Sequence, residues 1–213
     1  GLAGHTGMID GSLSLSAMSR RTAPARHQTL RSMLDWSFQL LEENEQLLLC
    51  RLSVFSDAFS LESAIAVSGE LACETAEALA TLVDKSLVCS MQHEGDAPRY
   101  RLLATTRSYA AERLAALPDH ADAAARHLAW CIEAGQLAAL ELEGRDRAHW
   151  RERHCRLVDE VRTALAWAFG EAGDAQRGTV LVVAAAALYG APGIVREHVQ
   201  WLERAVKALP ASM

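Results

Sequence analysis

The chain has 213 residues, half of them hydrophobic, and a net charge of −6. That is enough apolar material for one large domain or two small ones, and the acidic balance excludes a broadly cationic, nucleic-acid-coating surface while leaving room for a local basic face. Frequent Ala favours helix, and Arg far outnumbers Lys, whose only members are Lys85 and Lys207, a bias that fits a GC-rich bacterial source.

No signal peptide opens the chain, and the apolar run 179–188 is too short to span a bilayer. A cytoplasmic protein with no membrane partner is expected. Cys50, Cys73, Cys89, Cys131 and Cys155 lie far apart with no CxxC pair. Reduced, buried thiols are the simplest reading. The first residue is Gly1 rather than Met, so a piece of a longer protein is expected.

In chain order, residues 1–25 read as a linker or the tail of a preceding subdomain, broken by Gly4, Gly7 and Gly11. Arg20, Arg21, Pro24 and Arg26 mark a boundary. A first helix starts near Thr29, with Leu30, Met33, Leu34, Phe38 and Leu41 at helical spacing. After a polar break at 42–45, the density of Leu47, Leu48, Leu49, Leu52, Val54 and Phe55 predicts a helix buried nearly all round. Ser56 and Asp57 form a turn, and Ser60 caps a short helix with Leu61, Ile65 and Val67. A further helix is predicted over 73–85, with Leu79, Leu82 and Val83 inward.

Then the period changes. Leu87, Cys89 and Met91 alternate with Val88 and Ser90, Glu94-Gly95-Asp96 turns, and Tyr100 and Leu102 alternate with Arg99 and Arg101. This is a hairpin. Thr105 or Thr106 is the predicted cap of the next helix, and Pro118 ends the unit. Beyond it the pattern is helical throughout: 119–142, then 145–169, then 175–189, with a last helix from Val195 to Leu209 carrying Val199, Trp201, Leu202 and Val206. Trp167 and Trp201 stand 34 residues apart, the period of a tetratricopeptide repeat. The fold class expected is mainly α: a winged-helix domain with a small β-hairpin over 26–117, followed by antiparallel helical-hairpin (TPR-like) repeats over 118–213.

Catalytic chemistry has no foothold. No GxxxxGK[ST] loop is present, so this segment cannot by itself be a P-loop ATPase. His149, His154, Cys155 and His198 do not have zinc spacing: HWRERH lacks the i,i+4 pairing of HExxH. His27 reads as a surface or interdomain contact. No GxSxG or local Cys–His arrangement offers a nucleophile, and Asp35, Glu42, Glu43 and Glu45 read as solvated helix faces. No catalytic, cofactor-binding or metal-binding residue is assigned, and the segment is expected not to be an enzyme. The sequence also argues against DNA contact. A winged helix often reads DNA through its third helix, but here that helix carries Glu74, Glu77 and Asp84 against Lys85 alone, with no Arg, Asn or Gln for a base edge. Arg99, Arg101, Arg107 and Arg113 are the nearby cations.

The blocks RHQTLRSMLDWSFQLL (26–41), RLSVFSDAFSLESAIAV (51–67), LVDKSLV (82–88) and YRLLATTRSYAAERL (100–114) resemble the winged-helix segment of bacterial STAND-class signalling ATPases. These are ATP-binding transcriptional regulators related to the NB-ARC proteins. HCRLVDEVRTALAWAF (154–169) is similar to the start of their helical sensor region, and 1–19 then corresponds to the end of a lid subdomain. The resemblance implies a regulatory and sensor fragment, with ATP or ADP bound by an upstream domain. It implies a winged helix that latches onto neighbouring domains of the same regulator, and helical repeats that take an inducer or protein partner. Where the apoptosis and plant branches place a phosphate-contacting His-Asp pair, this chain has Leu103 and Ala104. Its latch is therefore expected to close by packing, and Arg20, Arg21, Arg26 and Arg107 are the cations left to approach a nucleotide. The alternative is a DNA-binding winged-helix transcription factor with a helical dimerisation or ligand domain.

Overall fold

The computed structural model describes residues 29–91, 97–118, 120–142, 147–190 and 194–209. The residues up to Glu42 and those from Glu43 onward form separate compact units. In the first, the described helix α1 covers 29–39. The 1–25 linker, the hairpin turn at 94–96 and the Pro192-Gly193 turn lie outside the described residues.

The second unit opens with α2 (Glu43–Leu52). From Glu45 onward none of its residues is exposed, as the Leu-rich run predicts. A two-residue strand β1 (Phe59–Ser60) leads into α3 (Leu61–Ser68). Ser60 caps α3 through a reciprocal box with Ser63, and Gly69 ends it in the left-handed region at φ 72°, where a residue without Cβ is favoured. Then come α4 (Ala72–Asp84), β2 (Cys89–Met91), β3 (Arg99–Arg101) and α5 (Ala104–Ala115). The sheet is antiparallel with order β1-β3-β2. Phe59 pairs with Tyr100, and Cys89 with Arg101. Leu48, Leu49, Leu52, Ala64, Val67, Leu79, Leu82, Val88 and Ala110 fill this half. Three helices, a β-hairpin with a third short strand and a closing helix make a winged helix.

Two local expectations fail here. Neither Thr105 nor Thr106 caps α5. The chain enters that helix through Leu103, extended at ψ 147° and without a side-chain cap, and Thr106 is buried in the first turn. Strand β1 was not foreseen, because two residues carry no readable alternation. They become a strand by pairing with β3.

The remaining helices are α6 (His120–Leu142), α7 (Arg147–His154), α8 (Leu157–Ala168), α9 (Ala175–Ala184) and α10 (Val195–Ala208), with a 3-10 turn at Ala186–Gly190. The expected single helix over 145–169 is two. At 155–156 a tight turn replaces helical bonding, with the Val158 amide reaching back only to Cys155. Each half is anchored separately. Trp150 Nε1 donates to the Ala138 carbonyl at 2.7 Å and His154 meets Glu141, which ties α7 to the end of α6. Helix α8 is instead buried along Leu157, Val161, Ala164, Leu165 and Ala168. The expected helix over 175–189 likewise tightens into the 3-10 turn after Ala184.

Helix α6 packs on both α8 and α9, and α9 in turn on α8 and α10. Phe169 stacks on Trp201 at 6.1 Å, and Arg162 of α8 holds Glu197 of α10. This neighbour-on-neighbour pattern is what stacked helical hairpins require. Close approach is enabled at Gly135, where a Cβ would sit 3.1 Å from the Ala184 carbonyl. No helix among the described residues is long and apolar enough to cross a membrane.

Candidate functional site

The most constrained polar cluster joins the winged helix to the helical stack. Glu160, in the first turn of α8, is 4 % exposed and His127 of α6 is 2 % exposed. His127 Nε2 lies 3.0 Å from Glu160 Oε2. From the turn after α2, the Ser56 hydroxyl donates to Glu160 at 2.7 Å, the Ser56 amide at 3.0 Å and the Asp57 amide at 3.1 Å. A buried carboxylate is costly unless its lone pairs are filled, and these are. Burial raises the pKa of Glu160, but the His127 hydrogen bond and charge and the Ser56 donors outweigh it, so the net shift is downward.

Aromatic rings close over this pair. Phe55 stacks on Phe59 at 4.8 Å and meets His127 edge-on at 5.2 Å and Trp130 at 5.7 Å. Two arginines sew the edges. Arg126 of α6 donates from Nε to the Val67 carbonyl at 2.8 Å, satisfying one of the carbonyls left open at the end of α3. Arg107 of α5 donates to the Ser56 carbonyl. Arg107, a cation left to approach a nucleotide in the sequence reading, is thus engaged at the seam. Arg20, Arg21 and Arg26 lie outside the described residues.

Helix α4, the groove-reading helix of a DNA-binding winged helix, presents Cys73, Glu74, Glu77, Ala80 and Asp84 outward. Lys85 follows it and is bound to Glu45 of α2 at 2.7 Å. The exposed face therefore carries three carboxylates and no cation. Glu45 itself is buried, correcting its reading as a solvated residue. On the wing, Arg99 and Arg101 are exposed, Arg99 reaching the Ala58 carbonyl at 3.3 Å. Leu103 is 46 % exposed and Ala104 is exposed beside it.

The cysteines divide. Cys50 and Cys131 are buried, and burial pushes the Cys50 thiol up to about 11. Cys73 and Cys155 are exposed, correcting the expectation that the thiols are buried. His149 is exposed, His154 meets Glu141 at 3.2 Å, and His198 stacks on Tyr189 at 4.8 Å. Among the described residues no group of three or more His, Cys, Asp or Glu side chains is gathered for a metal ion.

The sequence reading missed Glu160 and His127. Ser56 and Glu160 are 104 positions apart, so spacing gives no warning. The available signal was an ionisable residue inside an apolar stripe: Glu160 among Leu157, Val161, Ala164 and Leu165, and His127 beside Leu128 and Cys131.

Residues 41–115 match the family model of a winged helix-turn-helix domain. The chain is also similar to a protein named "Putative HTH-type transcriptional regulator" in Mycobacterium tuberculosis (strain ATCC 25618 / H37Rv), at 39 % identity over 164 residues. That match covers 75 % of this chain and 18 % of the relative. A regulator of the same name in Mycobacterium bovis matches equally. An uncharacterized protein of Mycobacterium tuberculosis is 41 % identical over 91 residues, covering 41 % of this chain and 23 % of the relative. The chain thus spans about a fifth of the length of the curated relatives it matches. No solved structure matches it. These names describe winged helices and transcriptional regulators; the likeness to signalling ATPases rests on the sequence blocks alone.

Proposed function

We propose that this chain is a non-catalytic regulatory piece of a transcriptional regulator, with its winged helix packed as an interdomain latch on a helical sensor segment. The observation that carries this reading is the acidic outward face of α4. Protein–DNA affinity is dominated by cations that neutralise phosphates, and Glu74, Glu77 and Asp84 would repel them. The matched segment as a whole holds twelve carboxylates against six Lys and Arg residues. The seam adds support. Helix α3, which crosses the DNA backbone in helix-turn-helix docking, is here packed against α6 and bonded to it through Arg126.

On this reading the helical hairpins carry the signal-binding surface, and neighbouring domains of the same regulator are the partners. A STAND-type ATPase upstream, binding ATP or ADP, is the finer form of the proposal, motivated by the four sequence blocks. A second reading is a DNA-binding winged-helix regulator. The names of the relatives sit closer to it than to a signalling ATPase, and Arg99 and Arg101 on the wing would supply its phosphate contacts. Selection of duplexes from a randomised pool by the chain, followed by gel shift, separates the two. Recovery of no enriched sequence supports the latch; an enriched motif bound by the chain overturns it.

A further inference from the structure

A cleft of about 250 Å³ opens between α7, α8, the 3-10 turn and the start of α10. Its walls are Trp150, Val158, Leu188 and Ile194, and its rim carries Arg151, His154, Asp159 and Arg162. Most of the rim charge is already matched. Arg162 is held by Glu197 at 2.5 Å and by Asp159 at 2.6 Å, and His154 by Glu141. Arg151 has no hydrogen-bond or ion-pair partner among the described residues and is exposed. Next to Leu188, the buried Tyr189 hydroxyl has no partner either. Burial first, and then the charge of Glu197 ahead of those of Arg162 and Asp159, acts on this hydroxyl.

We propose that this cleft binds a small amphipathic carboxylate, its apolar body against Trp150, Val158, Leu188 and Ile194 and its acid group on Arg151. Apolar walls with few converging polar groups are the usual make-up of a ligand site. The volume is below the roughly 300–1,000 Å³ of drug-sized sites, which limits the guest to a short chain or a single ring. The unmatched guanidinium selects an anion over a neutral or cationic head. The position also gives the site a consequence. Val158 and Asp159 line the cleft, and the next residue, Glu160, is the centre of the seam. A guest that shifts the first turn of α8 acts directly on the hydrogen bonds to Ser56 and Asp57. The site rests on the sensor role proposed above but is tested apart from it.

The test titrates the whole chain with octanoate, octanol and octylamine, following the Trp150 indole resonance, assigned through Trp150→Phe. Octanoate is expected to shift it saturably, and octanol and octylamine to bind about tenfold more weakly, the loss of one charge-assisted contact. Arg151→Ala is expected to bring octanoate down to the octanol level. Leu188→Trp fills the cleft and abolishes the shift; if that variant does not fold, Ile194→Trp serves the same end. Amide resonances of Ser56 and Asp57 move with octanoate in the wild type. No saturable shift, equal affinity for the three probes, or undiminished binding by Arg151→Ala would each overturn the proposal, and shifts confined to the cleft would overturn its link to the seam. Failure here leaves the latch reading standing, since duplex selection decides that independently.

Discussion

Replacing Glu160 by Ala leaves four groups without their acceptor: the Ser56 hydroxyl, the Ser56 and Asp57 amides, and His127. A hydrogen bond to a charged group contributes about 1.5–3 kcal/mol net. Ser56 and Asp57 are half-buried, so water recovers part of their loss. His127 is 2 % exposed and has no such recourse. A buried donor left without its acceptor costs about 1–3 kcal/mol, and the upper end, about 3 kcal/mol, applies here because the Ser56 and Asp57 bonds to the carboxylate are lost with that of His127. Against a typical stability of about 5–15 kcal/mol this is a large fraction. Urea denaturation followed by tryptophan fluorescence and by far-UV circular dichroism measures it. The seam also predicts a change of shape. In the wild type the two probes report one transition, whereas in Glu160→Ala the winged helix and the helical stack separate into two. A loss under about 1 kcal/mol with a single unchanged transition would refute the claim that Glu160 holds the halves together.

Three further outcomes follow from the same geometry. Because the folded pKa of Glu160 is depressed, its stabilisation is fully present above the ordinary carboxylate range, about 4.3 for Glu, and is lost as pH falls through its folded value. Denaturation midpoints should therefore drop on acidification more steeply in the wild type than in Glu160→Gln; parallel curves would contradict this. Gly69→Ala should cost about 1–2 kcal/mol by forcing a side chain into the left-handed region, aggravated by a Cβ placed 3.0 Å from the Arg126 guanidinium, and a thermal melt checks it. Lysine at positions 74, 77 and 84 together (Glu74→Lys, Glu77→Lys, Asp84→Lys) should leave the fold intact by circular dichroism and confer salt-sensitive duplex binding that the wild type lacks.

Much of the fold is legible in the sequence because it is written in local periodicity. The Leu-rich run of α2, the Ser60 cap of α3 and the switch to alternation at Cys89 each depend on neighbours within a few positions. Elements shaped by distant contacts are not legible in this way. Strand β1 exists because Phe59 and Ser60 meet β3 some forty residues on. The break at Cys155 and Arg156 contains no Gly or Pro; it arises because α7 is anchored to α6 while α8 is drawn toward the seam. The cap of α5 was misplaced because Thr105 and Thr106 suit capping chemically, whereas the chain path sets the start at Leu103. The acidic face of α4 was readable because it needs only one helix. The seam was not, because it needs three segments at once.

The most direct test of the latch is a fluorescence anisotropy titration of the wild-type chain with a mixed-sequence duplex at about 50 and about 200 mM salt, where phosphate-neutralising proteins lose orders of magnitude in affinity. The account predicts no binding tighter than the non-specific range of about 10⁻⁴–10⁻⁶ M at either salt. Nanomolar binding that collapses between the two salt concentrations would contradict it and make the winged helix a DNA reader.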